Sequence, residues 1–257
     1  MSLLAATGRF QGRLVLTHRD YLIDLVRTPL LAAVFLLLVR HNDRPDLLAY
    51  GLLAPVLMGM WSMAMLISGE VVDSDRWLGT LELQIAAPAG FARVVLSRVW
   101  VTTAISLLTV VEVGAVAFLG FGIVPDVPHP FVFLVGLLAT AVATAGSATL
   151  MAALFVATRT ARTFQNSLSY PVLLLGGVFT PLDRLPEWTH PIGRLLYLSW
   201  SSDLLRDALD PAPVTSASAA WRTGVVLGLG LLTGIGGRLL LGRVVRLVRE
   251  TGTVGLA

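Results

Sequence analysis

Long apolar blocks alternate along the chain with short stretches rich in arginine, proline and polar residues. A membrane-crossing helix needs about 20 predominantly apolar residues at a rise of about 1.5 Å each. On that measure the pattern predicts about six crossings. They fall over Thr28–Arg40, Leu47–Ser68, Val99–Phe121, Phe131–Ala157, Ser167–Thr180 and Val225–Leu241. The first is short unless its helix begins before Pro29, and a proline is tolerated in a first helical turn. The segment before it therefore reads as a separate helix meeting the first span at a bend. Over residues 8–27, Arg9, Arg13, Asp20, Asp24 and Arg27 share one helical stripe, and Phe10, Leu14, Tyr21 and Leu25 share another. That pattern predicts an amphipathic helix lying along the inner leaflet, either as an anchor alone or also as a contact for a partner.

Composition agrees with the pattern. Of 257 residues, 55% are hydrophobic and 14% charged, with mean hydropathy +0.78. Soluble domains carry about a quarter charged residues. No cysteine is present, which excludes disulfide frameworks, thiolate metal sites and cysteine nucleophiles. All 19 basic residues are arginine. A Walker A loop needs a lysine on the β- and γ-phosphates, so this chain holds no standard P-loop. Any ATP, with its Mg, must be hydrolysed on another subunit. His18, His41, His129 and His190 lie far apart and offer no metal-ligand spacing. Net charge is only +3, with arginines beside apolar blocks, a pattern of membrane orientation rather than nucleic-acid binding. With the amino terminus inside, arginines of the inner segments outnumber those of the outer segments by about two to one. Both termini are expected in the cytoplasm. The first six residues are apolar but too short for a cleaved signal peptide.

Between the second and third crossings, residues 70–88 are too polar for hydrocarbon yet helical in pattern. Trp77, Leu78, Leu81 and Ile85 share one arc, while Asp75, Gly79 and Glu82 form a second stripe with a glycine between two acids. Arg76, Thr80 and Asp73 continue the polar side. A greasy arc beside a charged, glycine-notched one suits docking into another protein's groove, because glycine allows close backbone approach. The bland alternative is a solvated loop helix.

At these residues the chain resembles the type-2 ATP-binding-cassette (ABC) permeases of the drug, antibiotic and polysaccharide export branch. Asp75-Arg76, Gly79-Thr80-Leu81-Glu82 and Ala87-Pro88 are similar to that family's acidic-Arg-x-x-Gly-Thr-Leu-Glu…Pro signature. The resemblance implies that residues 70–88 form the coupling helix, contacting an ABC ATPase through Asp75, Arg76, Trp77, Gly79, Thr80, Leu81 and Glu82. Trp77 and Leu78 depart from the family, which often carries charge there. Gly176 to Leu182, with Leu185-Pro186-Glu187-Trp188, is similar to the family's Ser-Gly-x-Phe-Phe-Pro…Leu-Pro-x-Trp stretch. Leu198 to Arg206 looks like its later Asn-Pro…Arg region, although the Asn-Pro pair is missing. The resemblance implies short re-entrant helices at the outer face over residues 181–210.

Other residues admit two readings each. Glu112, mid-span in the third crossing, either contacts substrate or a proton, or bonds a neighbouring helix. Gln165, Asn166 and Tyr170 open the fifth crossing with polar groups, which either line a translocation path or, with Ser167 and Ser169, cap the helix. The small-faced fourth crossing, with Gly136, Ala139, Ala143, Gly146 and Ala152, reads as tight packing within the chain rather than a subunit interface. Trp188, Trp200 and Trp221 fit a headgroup-level aromatic belt.

The expectation is a single permease domain over residues 1–257, all-α, with six transmembrane helices, in a bacterial plasma membrane. It would be the transmembrane subunit of an exporter for an amphipathic drug, antibiotic, lipid or glycan, without enzymatic activity of its own. The resemblance implies two ABC ATPase copies and a second permease chain, as homodimer or heterodimer. An ion-coupled secondary carrier is the alternative. It commonly shows internal repeats and several intramembrane charges; no clear repeat and one mid-membrane acid are present here. A membrane-embedded enzyme would need convergent catalytic groups in the spans, and none is evident.

Overall fold

The computed structural model describes residues 19–77, 91–157 and 161–251, and these are helical with short connections. Nine α-helices occur among the described residues: α1 Arg19–His41, α2 Leu48–Trp77, α3 Phe91–Ser106, α4 Leu108–Phe121, α5 Pro130–Ala157, α6 Ala161–Leu175, α7 His190–Arg194, α8 Tyr197–Leu209 and α9 Ser216–Thr251. Single turns of 3₁₀-helix cover Pro45–Leu47, Leu182–Arg184 and Glu187–Thr189. Four stretches of the described residues are long and apolar enough to cross a membrane: Leu48–Met65, Phe91–Phe121, Pro130–Val156 and Ser216–Leu247.

Several boundaries differ from the sequence expectation for identifiable reasons. The first span and the segment before it are not separate helices, because α1 runs continuously from Arg19 to His41 with Pro29 inside. A proline removes one N–H and crowds the preceding turn. Within a membrane bundle, neighbouring helices compensate for that loss. Here α1 packs along α2, and the Arg27 guanidinium donates to Ser62 Oγ on α2. Residues 8–18 lie outside the described part. Helix α2 passes the expected end of its span and continues to Trp77, so residues 70–77 belong to the same rod. The third span starts earlier, at Phe91, and breaks at Leu107. Next to that break, Thr103, Ser106 and Thr109 donate to the carbonyls of Val99, Thr103 and Ser106 at 2.8, 2.8 and 2.7 Å. Hydroxyls bonded back onto their own helix loosen and bend it.

The fifth span ends sooner than expected. Helix α6 stops at Leu175 because Gly177 adopts φ +67°, and Val178 N–H donates to Leu173 C=O at 3.1 Å. This is a Schellman-type stop, which needs a residue free to turn left-handed. A Cβ on Gly176 would also lie 2.8 Å from Leu198 Cβ on α8.

Helix α2 forms the centre of the bundle. Ten of its residues between Leu52 and Met65 belong to the buried apolar core, and it packs against α1, α3, α4, α5, α6 and α8. The closest seam joins α5 to α9. A Cβ on Gly146 would lie 2.0 Å from Gly230 O, one on Gly230 would lie 2.4 Å from Ala143 Cα, and one on Gly237 would lie 2.5 Å from Leu150 N. Gly230, Gly234 and Gly237 share one helical face, so the backbones meet without intervening side chains. The small face of the fourth span is thus used, at Ala143 and Gly146, for packing within the chain. Leu30 and Leu37 on α1, Val111 and Leu119 on α4, and Leu232 and Leu239 on α9 are exposed. Exposed apolar helix faces of this extent fit hydrocarbon rather than water.

Candidate functional site

Two motifs far apart in the chain meet at one end of the bundle. Helix α8 lies across α5, α9 and α2 there, and Arg206 is nearly buried, with 10% of its side chain exposed. Its Nη1 donates to the Gly177 carbonyl at 3.0 Å, and its Nη2 donates to Ser202 Oγ at 2.8 Å and Asp203 Oδ1 at 3.1 Å. The guanidinium also stacks over the Tyr50 ring on α2, 4.5 Å from its centroid. A planar, five-donor cation suits such a mixed set of acceptors and an aromatic face. One side chain thereby ties the Gly176–Pro181 loop, α8 and the start of α2 together. Ser202 Oγ reinforces the tie by donating to Gly176 O at 3.2 Å.

The surrounding cap is held by more charge-assisted bonds. Arg194 donates to Asp203 at 2.7 Å and lies over the Trp200 ring, whose Nε1 donates back to Arg194 O at 3.0 Å. Arg222 at the start of α9 pairs with Asp207. Partial burial pushes the Asp207 carboxyl above the ordinary carboxylate range, and Arg222 opposes that shift. His129 Nε2 lies 2.9 Å from Ala212 O, which joins the turn before α5 to the turn before α9. Deeper in, Tyr197 OH and Thr144 Oγ1 share a buried bond of 2.8 Å and fasten α8 to α5.

Beside this cap a half-open cleft of about 360 Å³ runs between the end of α1, the start of α2 and the Phe179–Arg184 loop. Phe35 and Phe179 stack along its wall with ring centroids 6.4 Å apart, and Tyr50, Asn42, Arg44 and Arg184 supply polar groups. The exposed Arg44 is paired with Asp46 at 2.8 Å, which holds the Asp46 carboxyl below its usual range. An aromatic wall with a cationic rim is chemically suited to an amphipathic molecule.

The sequence-predicted site residues fall in three places. Asp75, Arg76 and Trp77 form the last turn of α2, at the end opposite Tyr50. Gly79, Thr80, Leu81 and Glu82 lie outside the described residues. Among the path candidates, Glu112 is half-buried on α4, Gln165 and Asn166 lie in the second turn of α6, and Tyr170 on α6 is 71% exposed. Among the described residues, helices α4 and α6 both pack on α2 and share no extensive contact. The structure therefore does not bring Glu112 and Tyr170 together. Sequence reading singled out Arg206 only through its motif. It missed Tyr50 and Arg184, since a lone tyrosine and a loop arginine carry no periodic signal. Gly177 was the available clue, because a glycine closing an apolar helix marks a left-handed stop.

No curated protein and no solved structure matches the chain. The family model described as ABC-2 type transporter matches residues 12–209, a range that takes in the 75–82 motif, the cleft and Arg206. The chain therefore belongs to the ABC-2 type transporter family, as a multi-pass transmembrane permease component.

Proposed function

We propose that this chain is the transmembrane subunit of an exporter that moves an amphipathic substrate out of the cytoplasm, driven by ATP hydrolysed on a separate subunit. The observation that carries the reading is that the 75–82 motif lies within the family match and that its first residues, Asp75 to Trp77, form the far end of α2. Helix α2 has 30 residues, of which the span Leu48–Met65 takes 18. At about 1.5 Å per residue the rod is about 45 Å long, against a hydrocarbon core of about 30 Å. Its last turns are long enough to leave the bilayer and carry Glu70, Asp73, Asp75 and Arg76 into water.

A force applied at that end reaches the whole bundle, because α2 is the helix on which α1, α3, α4, α5, α6 and α8 all pack. Its opposite end lines the cleft through Tyr50 and touches Arg206. In this reading residues 70–88 are the coupling segment. Two ATPase subunits closing on ATP move the coupling segments of two permease chains and change the width of the outer cleft. ATP and Mg stay in the partner. The six-crossing plan, cytoplasmic termini and a bacterial plasma membrane complete the proposal. The substrate class is an amphipathic drug, antibiotic, lipid or glycan, supported by the aromatic wall and arginine rim.

Affinity purification of the tagged chain from its own host's membranes tests the reading. A P-loop ATPase with Mg-ATP hydrolysis is expected in equal number. Gly79→Leu with Glu82→Gln should lower its recovery about tenfold, a loss of about 1.4 kcal/mol in affinity, while the permease stays in the membrane. Unchanged recovery in the double variant would remove the coupling role. Absence of any ATPase from the wild-type complex would favour an ion-coupled carrier.

A further inference from the structure

A second cavity has no part in the cleft or the coupling segment. It is a groove of about 240 Å³ between α3, α5 and α9, with Gly146, Gly230 and Gly234 among its lining residues. Leu96, Trp100, Val142, Leu231 and Ile235 add apolar surface, and Arg238 is the only charged residue of the lining among the described residues. Trp100, Leu231 and Ile235 are 47%, 57% and 59% exposed, so the groove opens outward from the bundle.

Arg238 is unusual in its setting. It lies inside the apolar stretch Ser216–Leu247, is exposed, and has no hydrogen-bond or ion-pair partner among the described residues. Arg243 and Arg246 follow it by about 8 and 12 Å along the helix axis. Arg238 thus sits where hydrocarbon gives way to headgroups, at the level where an arginine stem lies in the apolar phase and its guanidinium meets phosphate. The groove reaches about 12 Å along α9 from Gly230 to Arg238, deeper into the hydrocarbon. Its shape arises because three glycines leave no side chains to fill the angle between α5 and α9.

We infer that this groove binds one anionic phospholipid, with an acyl chain along the glycine floor and the phosphodiester against Arg238. A zwitterionic lipid offers the same phosphodiester, but its own ammonium offsets that charge and weakens the attraction to the guanidinium. A second copy of the chain would have to bring an acid to a face whose exposed neighbours, Leu231, Leu232, Ile235 and Leu239, are all apolar. The leaflet is the cytoplasmic one, an assignment that rests on the topology proposed above.

The test uses the purified full-length chain in dodecyl maltoside, titrated with dioleoylphosphatidylglycerol or dioleoylphosphatidylcholine and read by native mass spectrometry. The glycerol lipid should be retained about fivefold better than the choline lipid, as one arginine near a charged headgroup warrants. Arg238→Gln should abolish that preference, and Arg243→Gln should keep it. Ile235→Trp or Leu231→Trp, which plug the groove from its exposed rim, should lower retention of both lipids, with unchanged melting showing an intact fold. Millimolar inorganic phosphate should displace neither lipid. Three results would overturn the inference: a preference that survives Arg238→Gln, displacement by phosphate alone, or plugging variants that alter the oligomeric state and leave lipid retention unchanged. Binding in micelles does not depend on orientation. A wrong topology would instead appear in thiol labelling of Arg243→Cys in this cysteine-free chain, with the lipid preference intact.

Discussion

The α5–α9 seam and the cap formed by α7 and α8 are both closely packed, yet opposite kinds of contact hold them. At the seam two backbones touch through Gly146, Gly230 and Gly237, and the hydroxyls of Thr140, Thr149 and Thr233 stay on carbonyls of their own helices. At the cap Arg194, Arg206 and Arg222 bond Asp203, Asp207 and the Gly177 carbonyl. Apolar side chains gain little by leaving lipid for another helix, so association there depends on close fit and small residues. At the membrane surface, charge-assisted bonds can form with their remaining lone pairs still reached by water. The seam is therefore the rigid part. The cap can be re-formed around a few polar contacts, which suits the element that borders a cleft.

Three substitutions, two of them with a control variant, probe that contrast. The largest effect is expected at Gly146→Leu, since even the first added carbon meets a backbone oxygen that cannot move aside. The helices must separate, at a cost of about 3 kcal/mol or more. Thermal unfolding in detergent should show a chain that is lost or barely folded. Gly236→Leu, on the seam's other helix α9 and with nothing within 4 Å of its Cβ position, should behave as wild type. Equal damage from both would mean that helix propensity, not backbone contact, sets the seam.

Next comes Arg206→Gln, which strands the Gly177 carbonyl and one side of Asp203 in a partly buried site. A loss of about 2–4 kcal/mol is expected. Arg206→Lys should recover only part of it, because an ammonium can neither span these acceptors together nor stack flat on Tyr50. Full rescue by lysine would reduce the cap to simple charge pairing. The smallest effect belongs to Tyr197→Phe, which removes the single buried bond between cap and α5 at Thr144. About 1 kcal/mol is expected, read as a small drop in the same melting curve. A much larger loss would make that bond, rather than Arg206, the main fastening of α8.

The long apolar stretches were legible because the bilayer demands length and apolarity of each crossing, and these survive in a linear reading. The small face of α5 was legible for the same reason. Residues in the last turn of α2 were readable as polar and helical, but not as an extension of the second span, since nothing local marks where a helix leaves the membrane. Pro29 misled in the opposite direction. Its local preference for a helix start was overridden by packing of α1 on α2, a long-range effect. Glu112 and Tyr170 were legible as polar positions, while their places on two helices that each pack on α2 came only from tertiary contacts.

The chain's order of residues by itself determined the membrane class, the lack of a lysine for a standard P-loop, the apolar spans and the family motifs. Each of these depends on composition or on spacing within one helix. Tertiary structure decided which glycines touch backbone, that Arg206 closes the loop at Gly177, and that Arg238 borders an open groove. Those facts depend on contacts between residues dozens of positions apart. No local periodicity encodes them, because the packing of several helices at once sets which faces meet.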